Sequence, residues 1–168
     1  MRLKNRLFWV TAVVTLILDQ FTKYLIVQNF KLHETLPVWP GVFHLTYVTN
    51  TGAAFSLFSQ GGGWLRWLSL IVSLGLIALA WLGPALNTFE QLGYSFILGG
   101  ALGNGIDRFF NTCVVDGKIL TCVVDFLDFR LIHFAVFNLA DVFINVGIVC
   151  LLIASFRHRP PVSNSRRL

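Results

Sequence analysis

The segment FAVFNLADVFINVGIVCLLIASF, residues 134–156, decides the fold of this chain. It is long enough to cross a bilayer as a helix, which takes about 20 predominantly apolar residues, and basic Arg157 follows it. Three polar residues interrupt it. Asn138, Asp141 and Asn145 are spaced i, i+3, i+7, so a helix places them on one face. The segment therefore predicts a transmembrane helix with a polar stripe.

The composition of the whole chain also indicates a membrane protein. Of the 168 residues, 55% are hydrophobic and 12% are charged, and the mean hydropathy is +0.70. These values exclude a disordered chain, and they are too hydrophobic and too poor in charge for an ordinary soluble domain. Three Cys are too few for a disulfide-dense secreted scaffold. Four spans of about 20 residues would use about 80 residues, so we expect a single integral membrane domain over residues 1–168.

Three more apolar runs complete a predicted bundle of four transmembrane helices. The four spans are expected at about residues 7–27, 64–82, 89–110 and 134–156. The first run follows basic residues, as a secretory signal peptide does. However, no small-x-small cleavage site follows it, and the apolar pattern continues past Asp19 and Lys23. We therefore expect this run to remain as a span.

The basic residues predict the orientation of the bundle. Seven of the 13 Lys and Arg flank the two ends: Arg2, Lys4, Arg6, Arg157, Arg159, Arg166 and Arg167. Because cytoplasmic flanks are rich in Lys and Arg, we expect both termini, including the tail 157–168, to be cytoplasmic. The same clustering indicates membrane anchoring and no nucleic-acid partner, although the net charge is +5. Loops 28–63 and 111–133 then lie outside.

The outer loops contain strand and turn signals. The stretch FHLTYVT, residues 43–49, alternates Phe, Leu and Tyr onto one face, and the turn-forming NTG of residues 50–52 ends it. We therefore expect a small extracytoplasmic β-sheet at the outer interface of an otherwise all-α membrane protein.

The second outer loop contains an internal repeat. TCVVD at residues 112–116 recurs at residues 121–125, with the hairpin-turn signal Asp116-Gly117 between the copies. A four-residue loop would place Cys113 opposite Cys122, where the separation suits a disulfide. A two-residue turn at Asp116-Gly117 would instead place Cys113 opposite Leu120. The sequence is compatible with both alternatives, a disulfide and two unpaired thiols.

Ionisable residues inside the spans need an explanation, because each costs roughly 2.5 to 3.5 kcal/mol near the bilayer centre. Asp19 and Lys23 are spaced i, i+4 and can pair on one helix face, which a purely structural role would explain. Asn104 and Arg108 share a face after a glycine-rich stretch, residues 99–103, that suits close helix packing. Arg108 could snorkel to water or hold a substrate group.

Asp125 and Asp141 are the candidate catalytic pair. Asp125 lies where the chain returns to the membrane, and Asp141 lies on the polar stripe. Two carboxylates held close share one proton, so one can take a proton from water while the other donates to a carbonyl oxygen. No Ser occupies a G-x-S-x-G elbow and the four His lack H-E-x-x-H spacing. Serine-hydrolase and zinc-protease hypotheses therefore have no support, and no metal site is predicted.

Five motifs, in order along nearly the whole chain, resemble those of bacterial lipoprotein signal peptidase, signal peptidase II. They are DQFTK at residues 19–23, NTGAAF at 50–55, GGALGNGIDR at 99–108, VDF at 124–126 and FNLAD at 137–141. The resemblance implies an aspartyl endopeptidase of the bacterial cytoplasmic (inner) membrane, with its active site near the extracytoplasmic face. Such an enzyme removes the signal peptide from diacylglyceryl-modified prolipoproteins, cutting on the N-terminal side of the lipidated cysteine.

The resemblance also implies partners and residue roles. Prolipoprotein signal peptides and membrane lipids are the expected partners, no metal or organic cofactor is implied, and we expect a monomer. Asp125 and Asp141 match the catalytic pair. The other matching positions are expected to shape the site or hold substrate: Asp19, Lys23, Asn50, Gly52, Asn104, Arg108, Asn138 and Ala140.

Because of the repeat, Asp116 is a second candidate for the catalytic role assigned to Asp125. The connection from the third span to VDF is longer here than is usual in the family. We prefer Asp125 because Phe-Leu follows it, as the family motif requires, whereas Gly-Lys follows Asp116 as in a turn.

Two other classes of function are alternatives to a peptidase. A proton or ion pathway also uses Asp and Asn stripes within spans, but the inverted repeats and paired broken helices of transporters are missing from this sequence. A noncatalytic membrane scaffold is the third class. The presence of both candidate aspartates is an argument against it.

Overall fold

The structure is a computed structural model, and it describes residues 4–52 and 62–157. Four long helices and two small sheets make up the described chain. The helices are α1 (Arg6–Asn29), α2 (Leu65–Leu82), α3 (Thr88–Phe110) and α4 (Leu139–Arg157), and the strands are β1 (Thr35–Trp39), β2 (Phe43–Asn50), β3 (Thr112–Val115), β4 (Lys118–Thr121) and β5 (Val123–Phe129). Short 3-10 helices lie at Gly62–Trp64 and Arg130–Ile132.

The helices α1, α2 and α4 have the length and apolarity needed to cross a bilayer, with mean hydropathies of 1.5, 2.0 and 2.3. Many of their large apolar side chains point away from the bundle; Ile71, Trp81 and Phe156 are each about two-thirds exposed. An apolar outer surface of this extent is what a lipid-facing bundle requires.

Helix α3 occupies the centre of the bundle and contacts each of the other three helices. Its glycines permit this close approach. A methyl group on Gly99 would lie 2.6 Å from the Thr15 side chain of α1, and one on Gly100 would lie 2.5 Å from the carbonyl oxygen of Ala140 on α4. The glycine-rich stretch therefore has the packing role expected of small residues in membrane helices.

The larger sheet joins the two long loops. Its strand order is β1-β2-β5, with both pairs antiparallel. The predicted strand at residues 43–49 is β2, and it pairs with β5 so that Val48 faces Asp125 and Asn50 faces Val123. The sheet thus places Asp125 beside the end of β2.

The smaller sheet is a hairpin of β3 and β4 that turns at Asp116-Gly117. Both turn residues have positive φ, 51° and 73°, as a two-residue hairpin turn requires. The register places Cys113 opposite Leu120, so the four-residue loop that would have opposed Cys113 to Cys122 is wrong. All three cysteines are free thiols, and the disulfide considered for this pair is not formed in the structure.

The fourth helix begins at Leu139, five residues later than the sequence predicted. Residues 134–136 have no regular secondary structure, and Phe137 forms an isolated bridge with Leu127 of β5. The Phe137 carbonyl accepts hydrogen bonds from the amides of Phe126 and Leu127, and the Phe137 amide donates to Leu127. Asn138 then caps the helix: its Oδ1 accepts from the Asp141 amide at 3.1 Å. The predicted tail, beyond Arg157, lies outside the described residues.

Candidate active site

Asp125 and Asp141 line the same cavity, which has a volume of about 160 Å³. β5 supplies Asp125 and the first turn of α4 supplies Asp141. Four further residues with predicted site roles line this cavity: Asn50, Asn104, Arg108 and Asn138. The fold thus brings together carboxylates and amides from four separate elements.

Asp125 is almost completely removed from solvent, with 1% of its surface exposed. Its Oδ2 accepts a hydrogen bond from Asn50 at 2.9 Å, and its Oδ1 accepts one from Asn138 at 2.6 Å. Burial, and then the negative charge of Asp141, raise the pKa of Asp125 to about 7, against the lowering effect of the two amides. Asp125 therefore gains and loses a proton near neutral pH.

Asp141 is half-buried and faces the cavity. Its Oδ1 accepts a hydrogen bond from the Asn104 side chain at 2.9 Å, and its Oδ2 accepts one from the Asn138 backbone amide at 3.3 Å. The position in the first turn of α4 also places the carboxylate at the positive end of the helix dipole. The two carboxylates thus differ in burial: Asp125 is almost fully buried, whereas Asp141 is half-buried.

Asn138 connects the parts of the site. Its side chain is fully buried, and its Nδ2 lies 2.6 Å from Asp125 Oδ1 and 3.0 Å from Asn104 Oδ1. The same residue caps α4 next to Asp141. Asn138 therefore joins β5 and α3 to the start of α4.

A buried charged cluster is connected to the carboxylate pair through Asn104. Lys23 Nζ is 2.9 Å from Asp19 Oδ2, 3.0 Å from Asp107 Oδ2 and 2.9 Å from Asn104 Oδ1. The i, i+4 contact expected between Asp19 and Lys23 is present. A buried ammonium needs partners of this kind, because an unpaired charge in an apolar interior is very costly.

Asp107 belongs to this cluster. It lies in the GGALGNGIDR motif but was not among the residues expected to shape the site. Its Oδ2 accepts a hydrogen bond from the backbone amide of Val124 at 3.1 Å, and its Oδ1 accepts one from Gln20 at 3.0 Å. Asp107 therefore fixes the strand residue that precedes Asp125. Its position three residues after Asn104, one helical turn away, is the sequence signal that could have revealed it.

Asp19 holds the start of α4. Its Oδ1 accepts a hydrogen bond from the backbone amide of Ala140 at 2.9 Å, so the Ala140 site position contributes through its backbone. A Cβ on Gly103 would collide with Asp19 Oδ2. The lack of a side chain at Gly103 therefore leaves the space that the Asp19 carboxylate occupies.

Arg108, Asn50 and Gly52 form the edge of the site beside the first loop. The Arg108 guanidinium donates to the carbonyl of Gly52 at 3.1 Å and to that of Asn104 at 3.3 Å. The Gly52 amide donates to Asn50 Oδ1 at 2.9 Å, which leaves Asn50 Nδ2 to donate to Asp125. The rest of the NTGAAF motif, residues 53–55, lies outside the described residues.

The structure leaves the other candidates outside this cavity. Asp116 is exposed at the tip of the β3-β4 turn, and Cys113 and Cys122 are not among the lining residues. Across residues 4–52 and 62–157, no group of three or more His, Cys, Asp or Glu side chains could hold a metal ion.

Known proteins resemble this chain over most of its length. The family model described as signal peptidase (SPase) II matches residues 11–157. The lipoprotein signal peptidase of a Nostoc sp. is 64% identical over 166 residues, covering 99% of each chain, and that of Gloeobacter violaceus is 51% identical over 157 residues, covering 94% of this chain and 86% of the other. A bacterial membrane enzyme solved by the in meso method at 2.3 Å is 29% identical, with a TM-score of 0.77 over 96% of this chain and 92% of that one.

Proposed function

Because this chain belongs to the signal peptidase II family, we propose that it removes signal peptides from diacylglyceryl-modified prolipoproteins, with Asp125 and Asp141 as an aspartic catalytic pair. The cut falls on the N-terminal side of the lipidated cysteine. The observation that carries the proposal is the common cavity, in which Asp141 faces a buried Asp125 whose pKa is about 7. Such a pair holds one proton near neutral pH and titrates as a unit.

The chemistry uses that single proton. A water molecule between the carboxylates loses a proton to the ionised member as its oxygen attacks the scissile carbonyl carbon, while the protonated member donates to the carbonyl oxygen. Collapse of the tetrahedral intermediate then breaks the C–N bond, and a proton passes to the nitrogen of the lipidated cysteine. Asn50, Asn104 and Asn138 hold the two carboxylates in place through the hydrogen bonds described above.

We also propose that all four helices cross the membrane and that the sheets and the cavity lie at its outer face. The end of α1, the end of α3 and the start of α4 meet at the cavity. At the opposite end of the bundle, Asn5 donates to the Ala80 carbonyl at 3.0 Å, so the start of α1 lies beside the end of α2. Basic residues flanking the two termini then favour a cytoplasmic location for that end.

This placement suits a lipidated substrate. The acyl chains can remain in the bilayer beside the apolar helix surfaces while the peptide bond enters the polar cavity. We propose that the chain acts as a monomeric single domain in the bacterial cytoplasmic membrane. No residue from a second copy is needed to complete the carboxylate pair or its amide partners.

The test is cleavage of a diacylglyceryl-modified prolipoprotein by the purified full chain in detergent. Asp125→Asn and Asp141→Asn should each abolish cleavage, because neither variant can hold both the acid and the base. Asp116→Asn is the matched control and should retain full activity, since Asp116 is exposed at a turn. Cleavage that survives Asp125→Asn but is lost in Asp116→Asn would reverse the assignment.

A further inference from the structure

Two thiols lie beside each other at the base of the β3-β4 hairpin. The Cys122 amide donates to the Asn111 carbonyl at 3.3 Å, so Cys122 faces Asn111 across the hairpin. Cys113, two residues after Asn111, is consequently the diagonal neighbour of Cys122 on the same face. Burial, and then the neighbouring Cys113 thiol, raise the pKa of the Cys122 thiol, so the two side chains are close enough to interact. Neither group takes part in the proposed hydrolysis.

The two thiols differ in access. Cys113 is half-buried, whereas Cys122 is 3% exposed. The remaining cysteine, Cys150, lies well inside α4. An oxidant from solution can therefore react with Cys113 first. Cys122 is then the neighbouring thiol that can react with the oxidised Cys113.

We propose that Cys113 and Cys122 are a redox-active dithiol that closes to a disulfide across the diagonal of the hairpin, next to the strand that carries Asp125. The natural oxidant is a disulfide, either on a small molecule or on a thiol-oxidising protein. The inference rests on the outer placement in the proposed function, because oxidising conditions prevail on that side of the membrane. The chemistry of the pair in purified protein does not depend on peptide cleavage.

The reaction proceeds by two thiol-disulfide exchanges. The Cys113 thiolate attacks one sulfur of the oxidant, which forms a mixed disulfide and releases the first thiol. Cys122 then gives its proton to solvent and attacks the Cys113 sulfur, which forms the bridge and releases the second thiol. The cysteine pair loses two electrons and two protons, and the oxidant disulfide gains them. Burial raises the pKa of the Cys122 thiol, so the second exchange should become faster as the pH rises.

The bridge would connect β3 to the residue immediately before β5. Cys122 precedes Val123, whose strand continues to Asp125. A covalent link at this point restrains opening of the hairpin, because the two chains can no longer separate at its base. Backbone amides of β4 should therefore exchange hydrogen more slowly in the oxidised protein than in the reduced protein.

The experiment uses the full chain carrying Cys150→Ala, in detergent, treated with oxidised glutathione and then alkylated without reduction. Both thiols should become unavailable to the alkylating reagent, a peptide linking residues 113 and 122 should appear by mass spectrometry, and dithiothreitol should restore both thiols. Cys113→Ser and Cys122→Ser in the same background are the matched controls, and neither can form the internal bridge.

Two results would overturn the proposal. One is full alkylation of both thiols after oxidation. The other is a stable glutathione adduct on Cys113 with Cys122 still free, which would show that the second sulfur cannot reach the first. Slower exchange of the β4 amides in the bridged form supports the restraint, and unchanged exchange contradicts it. Because none of these readouts uses a prolipoprotein, their failure is separate from failure of the proposed function.

Discussion

Lys23 on α1 fixes the orientation of the Asn104 amide on α3 through a 2.9 Å hydrogen bond to its Oδ1. Asn138 donates to the same oxygen at 3.0 Å. With its oxygen occupied by two donors, Asn104 can turn only its Nδ2 towards Asp141, which accepts at 2.9 Å. A charge buried between helices thus determines that Asp141 receives a hydrogen bond.

Replacing Asn104 by Asp should greatly reduce catalysis. The variant presents an acceptor where Asp141 needs a donor and adds a third negative charge to the cavity, so we expect the rate constant for cleavage to fall at least about 100-fold, the usual cost of losing one preorganised donor. Single-turnover cleavage with lipidated substrate measures this. Asn29→Asp, at the exposed end of α1, is the matched control and should be unaffected. A fully active Asn104→Asp would show that this hydrogen bond is dispensable.

Removing the charge of Lys23 should destabilise the bundle. Lys23→Met leaves the buried carboxylates of Asp19 and Asp107 without their cation, and breaking a buried pair in this way costs about 3 to 5 kcal/mol. Thermal unfolding in detergent should show a clear decrease in Tm. Lys31→Met removes the same charge from an exposed position and should leave Tm almost unchanged; equal Tm values for both variants would contradict the structural role of the cluster.

Gly103→Ala should disturb the start of α4. The added methyl group collides with Asp19 Oδ2, so Asp19 must move and its hydrogen bond to the Ala140 amide weakens. We expect lower stability and lower activity together. Gly75→Ala in α2 has nothing within 4 Å of the new Cβ and should be neutral or stabilising by up to about 1 kcal/mol. Comparison of Tm and cleavage rate for the two alanines is the measurement, and an inert Gly103→Ala would refute this packing argument.

The raised pKa of Asp125 makes stability depend on pH. Above pH about 4 an Asp in the unfolded chain has lost its proton, but folded Asp125 keeps its proton up to about pH 7. The folded state binds more protons in this window, so the free energy of unfolding should decrease as pH rises from 4 to 7. The decrease attributable to this residue is at most about 4 kcal/mol at 1.36 kcal/mol per pKa unit.

Asp125→Asn is the variant that isolates this titration. It should have a flatter profile of Tm against pH between 4 and 7 than the native chain. The rate of cleavage by the native chain should fall on the alkaline side of about pH 7, where the carboxylate pair loses its shared proton. A native Tm profile identical to that of Asp125→Asn would contradict the raised pKa.

Periodicity along one helix predicted the local part of the site. The spacing of Asp19 and Lys23 predicted their contact. The spacing of Asn138 and Asp141 predicted one helix face, whereas Asn138 precedes α4 as its cap and Asp141 lies in the first turn. The partnership of Lys23 with Asp107 was not predicted, because it joins two helices and depends on how closely they pack. A period of i, i+4 describes one element only.

Hydropathy alone could not show where α4 begins. Residues 134–137 are as apolar as a helix start would be, yet the backbones of Phe134 and Phe137 form hydrogen bonds with β5. Pairing with a strand depends on residues outside the segment, which the composition of the segment does not reveal. The hairpin register shows the same limit, since the TCVVD repeat fitted two turn lengths and only the turn geometry at Asp116-Gly117 distinguished them.

The hydrogen bond from Ala140 to Asp19 joins residues 121 positions apart, and Asn50 reaches Asp125 across 75 positions. The contact of Asn50 with Asp125 cannot form before β5 has been synthesised, and the contact of Asp19 with Ala140 cannot form before α4 has begun. The complete site therefore requires the start of α4. A nascent chain that extends only to the end of α3 lacks both carboxylates of the proposed catalytic pair.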